Sequence, residues 1–460
     1  MTATDPRYPR YVLAILVLVY VFNFLDRQIL AILAERIRAD LGISDAQLGF
    51  LYGTAFAVFY AVFGIPLGRL ADTWDRRRLI AIGLAAWSGM TMLSGLARTF
   101  GQLAAARIGV GVGEASAAPA AYSLLSDWFP PARRATALAI YSSGIYIGAG
   151  LGLGIGGLVV DRWDAAWGAG PTPLGLRGWQ VAFLVVGLPG LVLALLVATL
   201  REPVRGQGEG IVVPPHPHPF RACGAELLAV LPPFTLWTVA RHGGRPLLWN
   251  LAVAALVTVV AWRLVVWLGT PAQWVALGLG VYAAASWLQT LARRDPPTFA
   301  LLTRTPSLVL GAVGFALLAF VGYGVGFWLP AFFMRVHGID AAVAGLVLGG
   351  AAAAGGWLGT TLGGLWADRL RRRWPAGRLY VGVACGLLGA PLAAWMLTTD
   401  HTTVGLVLSF FATAASSLWI GPGATTVQDL VMPRMRGTAS AAYLMLVTFV
   451  GLALGPYVVG

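Results

Sequence analysis

Charge is what this chain of 460 residues has least of, since Asp, Glu, Lys and Arg make up only 11% of it. An ordinary soluble domain carries roughly a quarter, so a water-facing globular surface is excluded. Cysteine is almost missing: Cys223 and Cys385 are too few for a disulfide framework. The five histidines are scattered without metal-ligand spacing, so neither a metal nor a cofactor is expected. There is no Gly-x-x-x-x-Gly-Lys-Ser/Thr phosphate loop, so ATP does not drive the protein directly. No nucleophile elbow is present either, and nothing reads as an enzyme. The charge that exists is one-sided, 32 basic against 19 acidic residues. A nucleic-acid binder could carry that excess, but these residues sit in short loops between apolar runs. Loop arginine that sets membrane topology accounts for them, with no nucleic-acid partner.

Hydrophobic residues, by contrast, make up 58% of the chain. They fall in recurrent runs of about 20, enough to cross a bilayer core of roughly 30 Å as helices. The chain therefore reads as an all-α polytopic membrane protein, and its 59 glycines suit close helix packing. Spans are expected near 11–33, 46–70, 79–98, 101–125, 134–160 and 178–200. The first is too long for a cleavable signal. The loops with Arg76 to Arg78, Arg133 with Arg134, and Arg201 with Arg205 are assigned to the cytoplasm. The loop Glu35 to Asp45 and segment 161–177 lie opposite. The stretch 201–245 reads as a linker, and its run Pro214-Pro215-His216-Pro217-His218-Pro219 as a stiff spacer rather than a metal site. Two further spans, Leu247 to Leu268 and Trp274 to Leu291, end at Arg293 and Arg294. The rest fall near 306–333, 341–366, 378–397, 403–428 and 436–460, about thirteen in all.

The chain repeats itself. Gly68, Asp72 and Arg76 to Arg78 recur as Gly364, Asp368 and Arg371 to Arg373, the glycines 296 apart. Asp127, Pro131, Arg134, Thr136, Ala137 and Tyr141 recur as Asp429, Pro433, Arg436, Thr438, Ala439 and Tyr443, 302 apart. Two matched blocks in the same direction make a parallel duplication of several spans. The expected organisation is a six-helix bundle over 1–200, a linker and two inserted helices over 201–300, and a second bundle over 301–460. By the same offset the last helix of the second bundle is missing, so a shortened form of a longer protein is expected.

The motif Gly-x-x-x-Asp-x-x-x-Arg-Arg after the second span of each half resembles the major facilitator superfamily, apart from Asp75 and Arg371 where a glycine is usual. A finer resemblance rests on Asn23-Phe24-Leu25-Asp26-Arg27, on Arg107-Ile108-Gly109-Val110-Gly111-Val112-Gly113-Glu114-Ala115, and on Asp127-Trp128-Phe129-Pro130-Pro131-Ala132-Arg133-Arg134. These are similar to the spinster-type branch, which implies export of lysolipids or sphingoid phosphates. A bacterial inner (plasma) membrane is the expected location.

Charged groups inside a span are costly and usually functional. Four fall in the first half: Asp26, Arg27, Arg107 and Glu114. Asp26 and Glu114 are candidate proton sites, because desolvation and a nearby arginine pull a carboxyl in opposite directions. Arg27 is the candidate contact for an anionic headgroup, and Arg107, two helical turns from Glu114, is its expected partner. A buried ion-pair network that only fixes packing is the competing reading. Spans 306–333, 341–366 and 403–428 carry no Asp, Glu, Lys or Arg. A cavity between the halves then has one charged and one apolar wall, which suits an amphiphile. Tyr141, Tyr146 and Tyr323 are candidate lining residues. Asp72 with Arg76, and Asp368 with Arg372, are expected as charge latches at the inner gate, with Asp127 and Asp429 as further latch partners. Gly150, Gly152 and Gly154, with Gly451, Gly455 and Pro456, are expected to allow close packing between the halves.

The expected function is secondary active transport by alternating access, coupled to protons, of an amphipathic anion by a monomer among membrane lipids. A small organic-anion or drug carrier of the same fold, a non-transporting sensor or assembly subunit, and a lipid scramblase remain open.

Overall fold

A computed structural model describes residues 7–168, 171–210, 214, 216–241, 243–432 and 435–460. Pro215 and Pro433 lie outside them. All the regular secondary structure of the described residues is helical, with no strand.

The first bundle comprises α1 (Tyr8–Leu41), α2 (Asp45–Tyr52), α3 (Thr54–Thr73), α4 (Arg76–Ser94), α5 (Phe100–Glu114), α6 (Ala117–Trp128), α7 (Pro131–Trp167) and α8 (Gly178–Ala198). Then come α9 (Pro219–Val230), α10 (Phe234–Ala240), α11 (Gly244–Leu268), α12 (Pro271–Arg294) and α13 (Pro296–Arg304). The second bundle comprises α14 (Pro306–His337), α15 (Ala341–Arg373), α16 (Gly377–Thr398), α17 (Thr402–Ser416), α18 (Ile420–Asp429), α19 (Arg436–Leu446) and α20 (Gly455–Val459). A π-helical segment, Val447–Ala453, lies between the last two.

Local signals explain the helix ends. Ser44 and Gln47 cap α2 reciprocally, Ser44 Oγ accepting from Gln47 N and Gln47 Oε1 from Ser44 N, an N-terminal capping box. Helix α1 stops at Gly42 and α14 at Gly338, both with left-handed φ, where glycine carries no Cβ penalty. Since 338 − 42 = 296, these stops obey the offset of the arginine motif. Asp75, where the family pattern expects glycine, is the N-cap of α4 and accepts from Arg78 N at 2.8 Å.

Among the described residues eleven helices are long and apolar enough to cross a membrane, or twelve if α9 and α10, bent by 93°, form one span. The sequence counts about thirteen. The two expected spans outside that set are α4, whose 19 residues begin with three arginines, and the α5–α6 pair. That pair is broken after Glu114 and carries the buried Arg107 and Glu114. Both sit inside the bundle, α4 against α5 and α8, and α5 against α3. The stretch 201–245 is also more than a connector, since α9 packs on α3 and α10 on α11.

The two bundles meet where α7 crosses α15, and where α2 and α3 meet α20 and the π-helical segment. At the first crossing a Cβ on Gly150 would lie 2.6 Å from the carbonyl oxygen of Gly349, and one on Gly349 equally close to that of Gly150. Only glycine permits so close a crossing. Helix α12 packs against α3 of the first bundle and against the π-helical segment of the second. There the Ala453 carbonyl accepts from Thr54 Oγ1 at 2.8 Å and from Gln273 Nε2 at 3.5 Å.

A buried ion pair on one wall of the interior: the candidate functional site

The intramembrane charges gather where side chains of α1 and α5 reach each other within the first bundle. Arg27 Nε donates to Glu114 Oε2 at 2.6 Å, with the Glu114 side chain fully buried and Arg27 slightly exposed. The Arg27 guanidinium is walled by three rings, its central carbon 4.8 Å from Phe24, 4.5 Å from Phe56 and 4.8 Å from Tyr60. Such cation–π contacts strengthen as water is excluded. Arg107, fully buried, donates from Nη1 to the Asp26 carbonyl at 3.3 Å. Asp26 is also fully buried, and neither of its carboxyl oxygens has a hydrogen-bond partner. Trp87 and Thr91 of α4 face it without reaching hydrogen-bond geometry.

The glycines between Arg107 and Glu114 make this geometry possible. A Cβ on Gly111 would stand 2.5 Å from the Phe56 carbonyl oxygen, so glycine alone lets α5 approach α3 this closely. That approach sets Glu114 beside Arg27.

All four expected residues come together, but their pairing differs. Arg27, not Arg107, holds Glu114, and Arg107 instead ties α5 to the backbone of α1. Two helical turns separate Arg107 from Glu114 along the axis, while α1 presents Arg27 directly across. The aromatic wall of Phe24, Phe56 and Tyr60 was missed, although the i, i+4 pair Phe56 and Tyr60 and the i, i+3 pair Phe24 and Arg27 carry a signal for it.

The tyrosines divide. Tyr141 is fully buried, stacked on Tyr20 with ring centroids 4.4 Å apart. It is part of the first bundle's core in this conformation rather than an open lining residue. Tyr146 bridges the bundles through a hydrogen bond to Thr360. Tyr323, on α14, is half-buried.

At the arginine-rich end the expected latches are rearranged. Arg76 pairs with Asp127 at 2.5 Å and with Glu202 at 2.7 Å, and also donates to the Ser123 carbonyl at 3.1 Å. Among the described residues it makes no ion pair with the exposed Asp72. In the second bundle the corresponding cation is Arg378, which pairs with Asp429, lies 3.6 Å from Asp368 and donates to the Thr425 carbonyl at 3.1 Å. Arg372 is exposed and does not hold Asp368. The equivalence follows the 302 offset: 378 − 76, 429 − 127 and 425 − 123 all equal 302. Helix α15 runs on through Arg373 where α3 stopped at Thr73, which displaces the motif arginines by six positions. Arg378 holds the Asp429 carboxyl below its usual range, chiefly by hydrogen bonding. Both clusters tie helices within one bundle.

Carboxylate-mediated bridges between the bundles lie toward the opposite end. Arg335 donates to Glu35 at 2.7 Å and twice to Asp45 at 2.7 Å, and Ala342 N donates to Asp161 at 2.6 Å. No described residues form a cluster of His, Cys, Asp and Glu able to hold a metal.

This is the architecture of a facilitator-type carrier, and the chain belongs to the Major Facilitator Superfamily, whose family profile matches residues 16–222 and again 220–456. Within that family it is spinster-like. It is 24% identical over 459 residues to Protein spinster of Drosophila melanogaster, covering 98% of this chain and 61% of that protein. It is also 28% identical over 455 residues to an MFS-type efflux pump of Mycolicibacterium smegmatis, covering 99% of this chain and 84% of that one. Two crystal structures of a bacterial homologue of the human lysosomal transporter Spinster resemble it, both inward-facing. The occupied one has a TM-score of 0.72 at 27% identity and the unoccupied one 0.74 at 28%, each covering 99% of this chain and 82% of the other.

Proposed function

We propose that this protein is a secondary active transporter that works by alternating access, is coupled to protons, and moves an amphipathic anion such as a lysophospholipid or a sphingoid phosphate. The observation that carries this reading is the Arg27–Glu114 pair, buried on one wall of the interior and opposed by spans 306–333, 341–366 and 403–428, which carry no Asp, Glu, Lys or Arg. Protonation of Glu114 releases Arg27, which then meets an anionic headgroup while the tail rests on the apolar second bundle. Asp26, with both oxygens unpaired, is the second proton site. Arg107 positions α1 against α5. The ion-pair clusters around Arg76 and Arg378 keep each bundle rigid as the bundles rock. The protein acts as a monomer in a bacterial inner membrane, with lipid or lipid-like substrate and protons as its partners.

A second reading, a carrier of small organic anions or drugs, is favoured by the similarity to the M. smegmatis efflux pump. Flux from proteoliposomes separates the two. Saturable movement of lysophospholipid or sphingoid phosphate, competed by the unlabelled amphiphile but not by a tail-less organic anion, supports the lipid reading. Movement of the tail-less anion alone refutes it.

A further inference from the structure

The α9–α12 insertion encloses a cavity of about 260 Å³ that the transport reading does not use. The 93° bend between α9 and α10 folds them against the ends of α11 and α12. Glu226, Thr238, Gln289, Thr290, Arg293 and Arg294 are among the residues that line it. It lies at the membrane end where α12 finishes, the end assigned to the cytoplasm with the other arginine-rich loops.

The polar groups on its wall are not equally available. Thr238 donates to the Leu228 carbonyl and Thr290 to that of Ser286. Gln289 accepts from Asn250 and donates to the Pro246 carbonyl. Recognition of a ligand is assigned to the arginines, whose guanidinium groups each carry five donors. Arg294 meets Glu226 through Nη1 at 3.2 Å, and its side chain is 65% exposed, which leaves the rest of a five-donor fork for another acceptor. Two arginines and one carboxylate line the cavity. Asp295 is not among the lining residues, and it caps α13 by accepting from Thr298 N and Oγ1.

The surroundings decide the ligand. Phe234 and Trp237 on α10, with Leu248 and Trp249 on α11, are large apolar side chains left exposed beside the cavity walls, and Arg241 lies over Trp237. Exposed tryptophan beside arginine is the composition of the headgroup layer of a bilayer, and a guanidinium fork fits phosphate oxygens in pairs. We propose that this cavity docks the phosphate of an anionic membrane phospholipid, held by Arg293 and Arg294. Such a lipid is a bound membrane component, distinct from cargo crossing near Arg27.

The test is thermal unfolding of the purified full chain in detergent, titrated with phosphatidylglycerol, with phosphatidylcholine of the same acyl chains, or with inorganic phosphate. The expected result is saturable stabilisation by phosphatidylglycerol, weaker by roughly tenfold or more in Arg293→Gln/Arg294→Gln, the loss of about one charge-assisted hydrogen bond. Arg294→Gln strands Glu226, so the triple variant that adds Glu226→Gln keeps the test valid if the double variant unfolds. Arg304→Gln, an exposed arginine on α13, is the control and responds as wild type. Equal stabilisation by both phospholipids, an unchanged response in the arginine variants, or equal stabilisation by free phosphate overturns the proposal.

Discussion

Arg27 and Arg378 show how much one guanidinium can fix. Arg27 spends its Nε on Glu114 and its face on three rings, so Arg27→Lys removes a planar partner that ammonium does not replace. Arg378 is the second bundle's counterpart of Arg76, which leads to a sharp contrast. Arg378→Ala is expected to destabilise the protein by about 1–2 kcal/mol, while the exposed Arg372→Ala stays within about 0.5 kcal/mol of wild type. Thermal melts of the two variants check this. The pH dependence at Asp429 has a definite sign. Its carboxyl is held low in the folded state, so its contribution is full above the unfolded value of about 3.9 and is lost as pH falls through the folded one. The Tm gap between wild type and Asp429→Asn should be constant near neutrality and close only in acid. A gap that widens in acid contradicts the assignment.

At the scale of helices, the repeat was legible because it is written in whole blocks. The 296 offset joins the arginine motifs and the glycine stops of α1 and α14, and the 302 offset joins the later block. What the sequence hid was the change of phase between them. Helix α15 continues past the position where α3 ends, so matching the motifs pointed to Arg372, and the later offset leads instead to Arg378. Pairings hid for a similar reason. Spacing along α5 shows that Arg107 and Glu114 share a face, but not that α1 brings Arg27 closer, because that depends on the approach allowed by Gly111. The glycine crossing of α7 and α15 was read correctly at Gly150, and it gives a prediction. Gly150→Leu should force the helices apart at a cost of about 1–3 kcal/mol and increase labelling of a cysteine placed at buried Leu153, measured with a membrane-permeant thiol reagent. Unchanged labelling contradicts a tight crossing.

The molecule as a whole is two bundles fastened toward one end, with a hairpin laid across the seam. Arg335 of α14 grips Glu35 of α1 and Asp45 of α2, and α12 reaches both bundles at Ala453 and Val58. Opening that end means parting these contacts, so Arg335→Gln should raise the population in which it is open. Pulsed electron–electron distances between labels on the exposed turns after α1 and α14 are expected to lengthen, and an unchanged distribution contradicts the assignment. Proton coupling is the central claim, because it joins the buried carboxyls to the movement of an amphiphile. The measurement that tests it most directly is lysophospholipid flux into proteoliposomes, with and without an imposed pH gradient, for wild type and Glu114→Gln. The account predicts gradient-dependent accumulation by wild type and flux indifferent to the gradient in Glu114→Gln. Wild-type flux that ignores the gradient, or a Glu114→Gln variant that still follows it, contradicts the account.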